Sequence, residues 1–173
     1  MLEHREKDGL VLETKRISFK DQLQFGQEFE DKFAQWLIKK GWHVIPKYLY
    51  VKEGAPLLIG DIESYCVPDI DASKKGNRIW VECKRKKRMF KHPATGYPLS
   101  NHKSYKKVQK ITGSNVFIVF WDETDGDNQY YGNWLNTMDL HIYRNNWFFQ
   151  NKLHITFKYP QAFTFIDFNN KNG

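Results

Sequence analysis

The sequence predicts an α/β fold, a central mixed β-sheet flanked by helices. Three stretches carry that expectation. Residues 21–40 repeat apolar side chains at helical spacing, through Phe25, Phe29, Phe33, Trp36 and Leu37. Residues 67–84 read as two short strands joined by a polar turn. Residues 115–121, Asn-Val-Phe-Ile-Val-Phe-Trp, form an almost unbroken apolar run, the pattern of a strand buried on both faces. The order helix, strand, acidic hairpin, helix, buried strand fits a sheet with antiparallel and parallel pairs.

Along the chain, Gly41 is expected to end the first helix, with Lys39 and Lys40 in its last turn. Glu28 lies opposite the apolar stripe and is placed to pair with Lys32. Glu30 sits at the edge of the stripe, where a carboxylate is poorly solvated and wants a cation. Residues 42–51 read as the first core strand, despite Pro46. Residues 57–62 read as a further strand or a turn, with Asp61 and Glu63 on the surface. In the hairpin, 67–72 and 78–84 are the strands, and Gly76 and Asn77 suit positive backbone angles in the turn between them. Residues 89–101 read as a loop because of Pro93, Gly96 and Pro98, one rich in aromatic and basic side chains (Phe90, Lys91, His92, Tyr97). Residues 100–112 read as a second helix, starting near His102, with Tyr105, Val108, Gln109 and Thr112 along one side. After the buried strand comes an acidic loop, 122–128. Residues 130–140 suggest a short helix, and 140–143, 147–149 and 153–159 suggest extended pieces. Phe163, Phe165, Ile166 and Phe168 close the chain.

A chain of 173 residues, 40% hydrophobic and 16% aromatic, is expected to form one domain, 1–173. Residues 1–20 would be an N-terminal arm and 129–173 a C-terminal elaboration. No apolar run is long enough to cross a bilayer, and the first eight residues are mostly charged. The expectation is a cytoplasmic protein with no membrane partner. Cys66 and Cys83 suggest neither a disulfide framework nor a zinc site. The net charge of +7 favours a polyanionic partner. Arg85, Lys86, Lys87, Arg88 and Lys91 follow directly on the acidic hairpin, and Lys103, Lys106, Lys107 and Lys110 come soon after. A basic run abutting a carboxylate cluster reads as a track for phosphates.

Alternation along the second hairpin strand puts Trp80, Glu82 and Lys84 on one face, with Glu82 and Lys84 roughly 6–7 Å apart. Asp69 and Asp71 share a face of the first strand. An Asp and Glu82 can therefore converge on one point, beside Lys84. Two carboxylates at one point suit Mg²⁺ or Mn²⁺. A lysine beside them can hold a water or balance charge developing on a phosphate.

Pro68-Asp69 and Glu82-Cys83-Lys84, about a dozen residues apart, resemble the two half-motifs of the PD-(D/E)xK nuclease superfamily. Gly26, Glu30, Ala34, Leu37 and Gly41 resemble the helix of archaeal Holliday-junction resolvases and related enzymes. The resemblance implies a restriction-endonuclease-like core and a Mg²⁺-dependent nuclease, with DNA as the foremost substrate and RNA as the alternative. It implies that Asp69, Glu82 and the carbonyl of Cys83 hold the metal, that Glu30 completes the site, and that Lys84 orients the attacking water. In some branches the helix after the second half-motif adds a polar side chain, here Gln109 or Tyr105. The resemblance leaves room for a homodimer and does not reach residues 129–173. Two other readings compete with it. One is a nucleic-acid-binding module of the same fold that does not cut; the other is a structural protein whose hairpin charges form a salt-bridge network.

Overall fold

The structure, a computed structural model, describes residues 19–46, 56–89, 91–124 and 129–168. Most of the expected N-terminal arm, the second half of the expected strand 42–51, and Phe90 lie outside the described residues.

The first helix, α1, spans Phe19–Lys39. It ends because Gly41 takes a φ of +81°, which glycine adopts without steric cost. The Gly41 N–H then donates to the Ile38 carbonyl at 2.9 Å and the Trp42 N–H to the Leu37 carbonyl at 3.1 Å, closing the last turn. A short strand, β1 (His43–Pro46), follows. Next come a small hairpin of β2 (Leu57–Ile59) and β3 (Ser64–Cys66), and then the acidic hairpin of β4 (Ile70–Lys74) and β5 (Asn77–Lys86). The chain continues through β6 (Ala94–Pro98), α2 (Leu99–Thr112), β7 (Asn115–Asp122), β8 (Gln129–Trp134) and α3 (Leu135–Asp139). It closes with β9 (Ile142–Phe149), β10 (Lys152–Lys158) and β11 (Thr164–Phe165).

The central sheet has the order β1-β4-β5-β7-β8-β11. Only β5 and β7 pair in parallel, joined by the crossover through α2. The expected mixed sheet is therefore present, and the apolar run 115–121 is one of its inner strands. A second sheet, β6-β10-β9, stands beside it.

The six-stranded sheet buries both faces. On one, Phe29, Phe33, Ala34 and Leu37 of α1 pack on Ile70, Val81, Cys83 and Val119. These are the apolar positions whose spacing predicts the helix. On the other, Trp80, Val116, Ile118 and Phe120 pack with Tyr105 and Val108 of α2 and with Tyr97, Ile155 and Phe157 of the second sheet. Burying each large apolar side chain contributes about 1.5–3 kcal/mol, so the hairpin is clamped between two cores.

Several expectations change. The hairpin turn is Lys75-Gly76, with φ +50° and +80°, not Gly76-Asn77. Two positive angles in a two-residue loop match the right-handed twist of the flanking strands. The strand β1 is at the sheet edge, where Pro46 lacks a ladder N–H at little cost. The segment expected as a loop contains β6. Gly96 sits inside it because a Cβ there would meet the Ile155 carbonyl oxygen at 2.1 Å. Residues 129–134, expected to start a helix, form β8 instead, and only Leu135–Asp139 is helical.

Candidate active site

Two backbone facts bring the predicted residues together. The β4–β5 register pairs Ile70 with Val81. Extended by one step, that register would set Asp69 opposite Glu82 on the same face. The strand β4 does not continue to Asp69. Its side chain takes over the pairing, and Asp69 Oδ2 accepts a hydrogen bond from the Cys83 N–H at 2.8 Å. In an extended strand one residue's N–H and C=O point to the same edge. The Cys83 carbonyl therefore lies on the edge that Asp69 occupies.

Glu82 is 2% exposed. Its Oε1 pairs with Lys84 Nζ. Its Oε2 is buried and has no hydrogen-bond partner. A buried carboxylate oxygen without a hydrogen bond is costly, a cost that coordination to a cation would offset. Burial works against the Lys84 charge, but Glu82 and Asp69 outweigh it and hold the ammonium well above its ordinary pKa. Burial first, and then the Glu82 charge, push the Asp69 carboxyl well above its usual value; Lys84 and the Cys83 N–H pull the other way. Glu30, reaching in from α1, is pushed up to about 7 by burial and then by Glu82, with Lys84 opposing. Glu30, Asp69 and Glu82 thus share one electrostatic field, balanced by Lys84.

Among the described residues, no group of three His, Cys, Asp or Glu side chains is preassembled as a metal cage. Mg²⁺ does not require one, since it keeps several waters and binds through one or two carboxylates. Asp69, Glu82 with its unpartnered Oε2, and the Cys83 carbonyl make an oxygen donor set that fits such an ion.

Asp71, the other acid of the hairpin, is not part of this set. Arg78 Nε donates to its Oδ1 at 2.9 Å and Arg78 Nη2 to its Oδ2 at 2.6 Å. Of the two accessory candidates, Tyr105 is at the site. Burial and then the Glu82 and Asp69 charges hold its hydroxyl well above its usual pKa; its geometric hydrogen bond is from Asn101 Nδ2 at 3.4 Å. Gln109 is elsewhere. It accepts from the Val116 N–H and donates to Asn136, both at 3.0 Å, tying α2 to β7 and α3. Cys66, expected only to take no part in a disulfide or a zinc site, lies beside these groups. Its half-buried thiol is pushed up to about 11 by burial and then by Glu82, so it too lines the acidic centre.

The basic run divides. Arg85 bonds Glu28 at 3.0 Å and Glu123 at 2.6 Å and lies over the Trp121 ring at 4.0 Å. Glu28 therefore pairs with Arg85 rather than with Lys32, whose amine reaches the Tyr130 hydroxyl. Arg88 Nε stands 2.7 Å from the buried Asp122. Lys106 bonds Asp139 at 2.6 Å, and the same Asp139 holds the buried His102 at 3.1 Å. Each of these cations is therefore engaged by an acid of this chain, from the buried Asp122 to the exposed Glu28, which competes with a phosphate for it. Lys86, Lys87 and Lys91, together with Arg88, line a cleft at the end of β5. Burial and then Lys84 lower the Lys86 pKa to about 8, with Glu82 opposing. Lys103 and Lys107 stand beside a second concavity on α2.

Known proteins were compared at three levels. Neither the family models nor the curated sequences contain a match. Among solved structures, the chain matches Archaeoglobus fulgidus Hjc, a Holliday junction resolvase from an archaeal hyperthermophile. The TM-score is 0.53 at 13% identity, covering 79% of this chain and 91% of that one. The fold is restriction-endonuclease-like. At that identity the match speaks for architecture, and the chemistry rests on the residues. No helix among the described residues is long and apolar enough to cross a membrane.

Proposed function

We propose that the chain is a metal-dependent nuclease of the PD-(D/E)xK type, hydrolysing phosphodiester bonds in DNA. The observation that carries this reading is the closeness of Asp69, Glu82 and Lys84, which act on one another electrostatically, with Asp69 bonded to the β5 backbone and Lys84 to Glu82. The resolvase-like fold supports it, because the first half-motif falls just ahead of β4 and the second on β5 inside that fold.

Asp69, Glu82 and the Cys83 carbonyl would hold Mg²⁺ or Mn²⁺, with Glu30 adding a third carboxylate, directly or through water. When bound, the cation would acidify a water and take up charge on a phosphate oxygen. Lys84, kept charged by the surrounding acids, donates its N–H groups to the attacking water and to the phosphate as negative charge builds. Tyr105 closes the α2 side of the centre and limits water there. Lys86, Lys87 and Lys91 supply sequence-independent attraction for the backbone.

The test is purified protein with Mg²⁺ or Mn²⁺ against linear, circular, branched and single-stranded DNA. Cleavage that stops on adding EDTA is expected. No cleavage of any substrate with either ion, by a protein that binds DNA, would replace this reading with a non-cutting module.

A further inference from the structure

The β6-β10-β9 sheet adds no carboxylate to the cluster, yet its outer hairpin exposes large apolar side chains beside its polar ones. Phe148 is 68% exposed, Phe149 52% and Leu153 49%. Alternation puts Trp147 and Phe149 on one face of β9, and the register sets His154 opposite Trp147 on that face. The same face forms one wall of a cleft of about 740 Å³. Its other wall is the basic end of β5 and the turn beyond, with Lys86, Lys87 and Lys91. Unlike Arg85 and Arg88, these three lysines make no ion pair or hydrogen bond through their side chains with another described residue. The volume lies within the range of small-ligand sites.

The cleft also adjoins the candidate centre along β5. Glu82, Lys84 and Lys86 share a face of β5, so Lys86 enters the cleft roughly 7 Å along the strand from Lys84. An occupant must therefore offer negative charge to the lysines and flat apolar surface to the rings. A duplex offers phosphates but keeps its base faces stacked inside. An unpaired strand offers both, and stacking of free bases on aromatic side chains beside a basic groove is how single strands are held.

We propose that this cleft binds unpaired nucleotides adjoining the phosphate to be cut, with bases on Trp147 and Phe149 and phosphates on Lys86, Lys87 and Lys91. The substrate then carries a single-stranded segment, as a flap, an end or an opened branch does. The word "cut" rests on the nuclease reading; the binding does not.

The test measures fluorescence anisotropy of the full chain in EDTA, with a labelled oligodeoxynucleotide of about twelve nucleotides, single-stranded or fully paired. Trp147→Ala and Phe149→Ala are each expected to weaken single-strand binding roughly tenfold and duplex binding less than about twofold. Trp147→Phe should restore most of the loss. Lys86→Ala with Lys87→Ala should weaken both and lower the salt slope by about one per lysine. Should Trp147→Ala fail to fold, Phe149, more than half exposed, carries the comparison. Single-strand binding within about twofold of the parent in the foldable ring variants, or an equal loss on duplex, overturns the proposal. Ring-dependent binding without cleavage in Mg²⁺ would keep the cleft and sink the nuclease reading. Cleavage with no dependence on the rings would do the reverse.

Discussion

The two hairpins of this protein are built alike at their tips and used differently along their length. Both β4–β5 and β9–β10 close through two-residue loops with positive φ, Lys75-Gly76 and Gln150-Asn151. The first is buried between two cores, so its strands place charged groups where water cannot solvate them. The second lies at a margin. Most of β9 is exposed, with Phe148 and Phe149 open to solvent and Tyr143 and Trp147 half-buried. Burial gives the first hairpin fixed, strongly interacting charges, as bond-breaking needs. Exposure gives the second an accessible apolar face, as binding a flexible strand needs. Under the proposed function, one local geometry would serve chemistry or contact according to what packs against it.

The largest expected effect breaks the first hairpin. Lys84→Ala and Glu82→Gln should each lower the cleavage rate by at least ~10²–10³ while leaving DNA binding largely intact. Full cleavage by either variant in Mg²⁺ would remove it from the reaction. Next, the two aspartates of the same hairpin should part. Asp69→Ala should abolish cleavage, whereas Asp71→Ala should cost about 1–2 kcal/mol of stability through loss of the Arg78 bonds. Melting temperature and rate per folded molecule distinguish them; equal loss of rate in both would mean that Asp71 also serves the site.

A smaller effect tests the tips themselves. Gly76→Ala at φ +80° should cost about 1–2 kcal/mol. Gln150→Asn with Asn151→Gly should gain about 1 kcal/mol, since those residues suit both positive angles. Thermal unfolding reads both, and an unchanged midpoint in either would contradict the turn geometry. The smallest effect is a control that neither hairpin should feel. Burial raises the Asp139 pKa, but the hydrogen bonds from His102 and Lys106 outweigh it, and the net shift is downward. A depressed carboxyl stabilises above its unfolded pKa, about 3.9, and loses that contribution as pH falls through the lower folded value. The melting gap between the protein and Asp139→Asn should therefore narrow below about pH 4, with cleavage per folded molecule unchanged near neutrality.

What the sequence discloses follows from where each signal is written. The stripe from Phe29 to Leu37, the run Val116–Trp121 and the acids of the hairpin are each local patterns; the helix and the buried strand stand where those patterns place them, whereas the first hairpin strand runs 70–74 rather than 67–72. The strand β6 is hidden because Gly96 answers to Ile155, about sixty residues away, and reads locally as a loop breaker. The strand β8 is hidden because Gly132 makes room for the Ile118 carbonyl oxygen, 2.5 Å from where a Cβ would sit. In the candidate site, Asp69, Glu82 and Lys84 are legible because the two-residue period fixes their face. Arg85, Arg88 and Lys106 are not, because charge alone does not say which cation meets Glu123, Asp122 or Asp139 after folding.

The Asp69–Cys83 contact has a practical consequence. A main-chain amide normally held by a carbonyl is here held by a carboxylate. Its proton resonance will therefore shift when that carboxylate changes partner. An amide spectrum of the protein titrated with Mg²⁺ would carry, in the Cys83 signal, a direct read-out of the ion's arrival, even in a variant that no longer turns over.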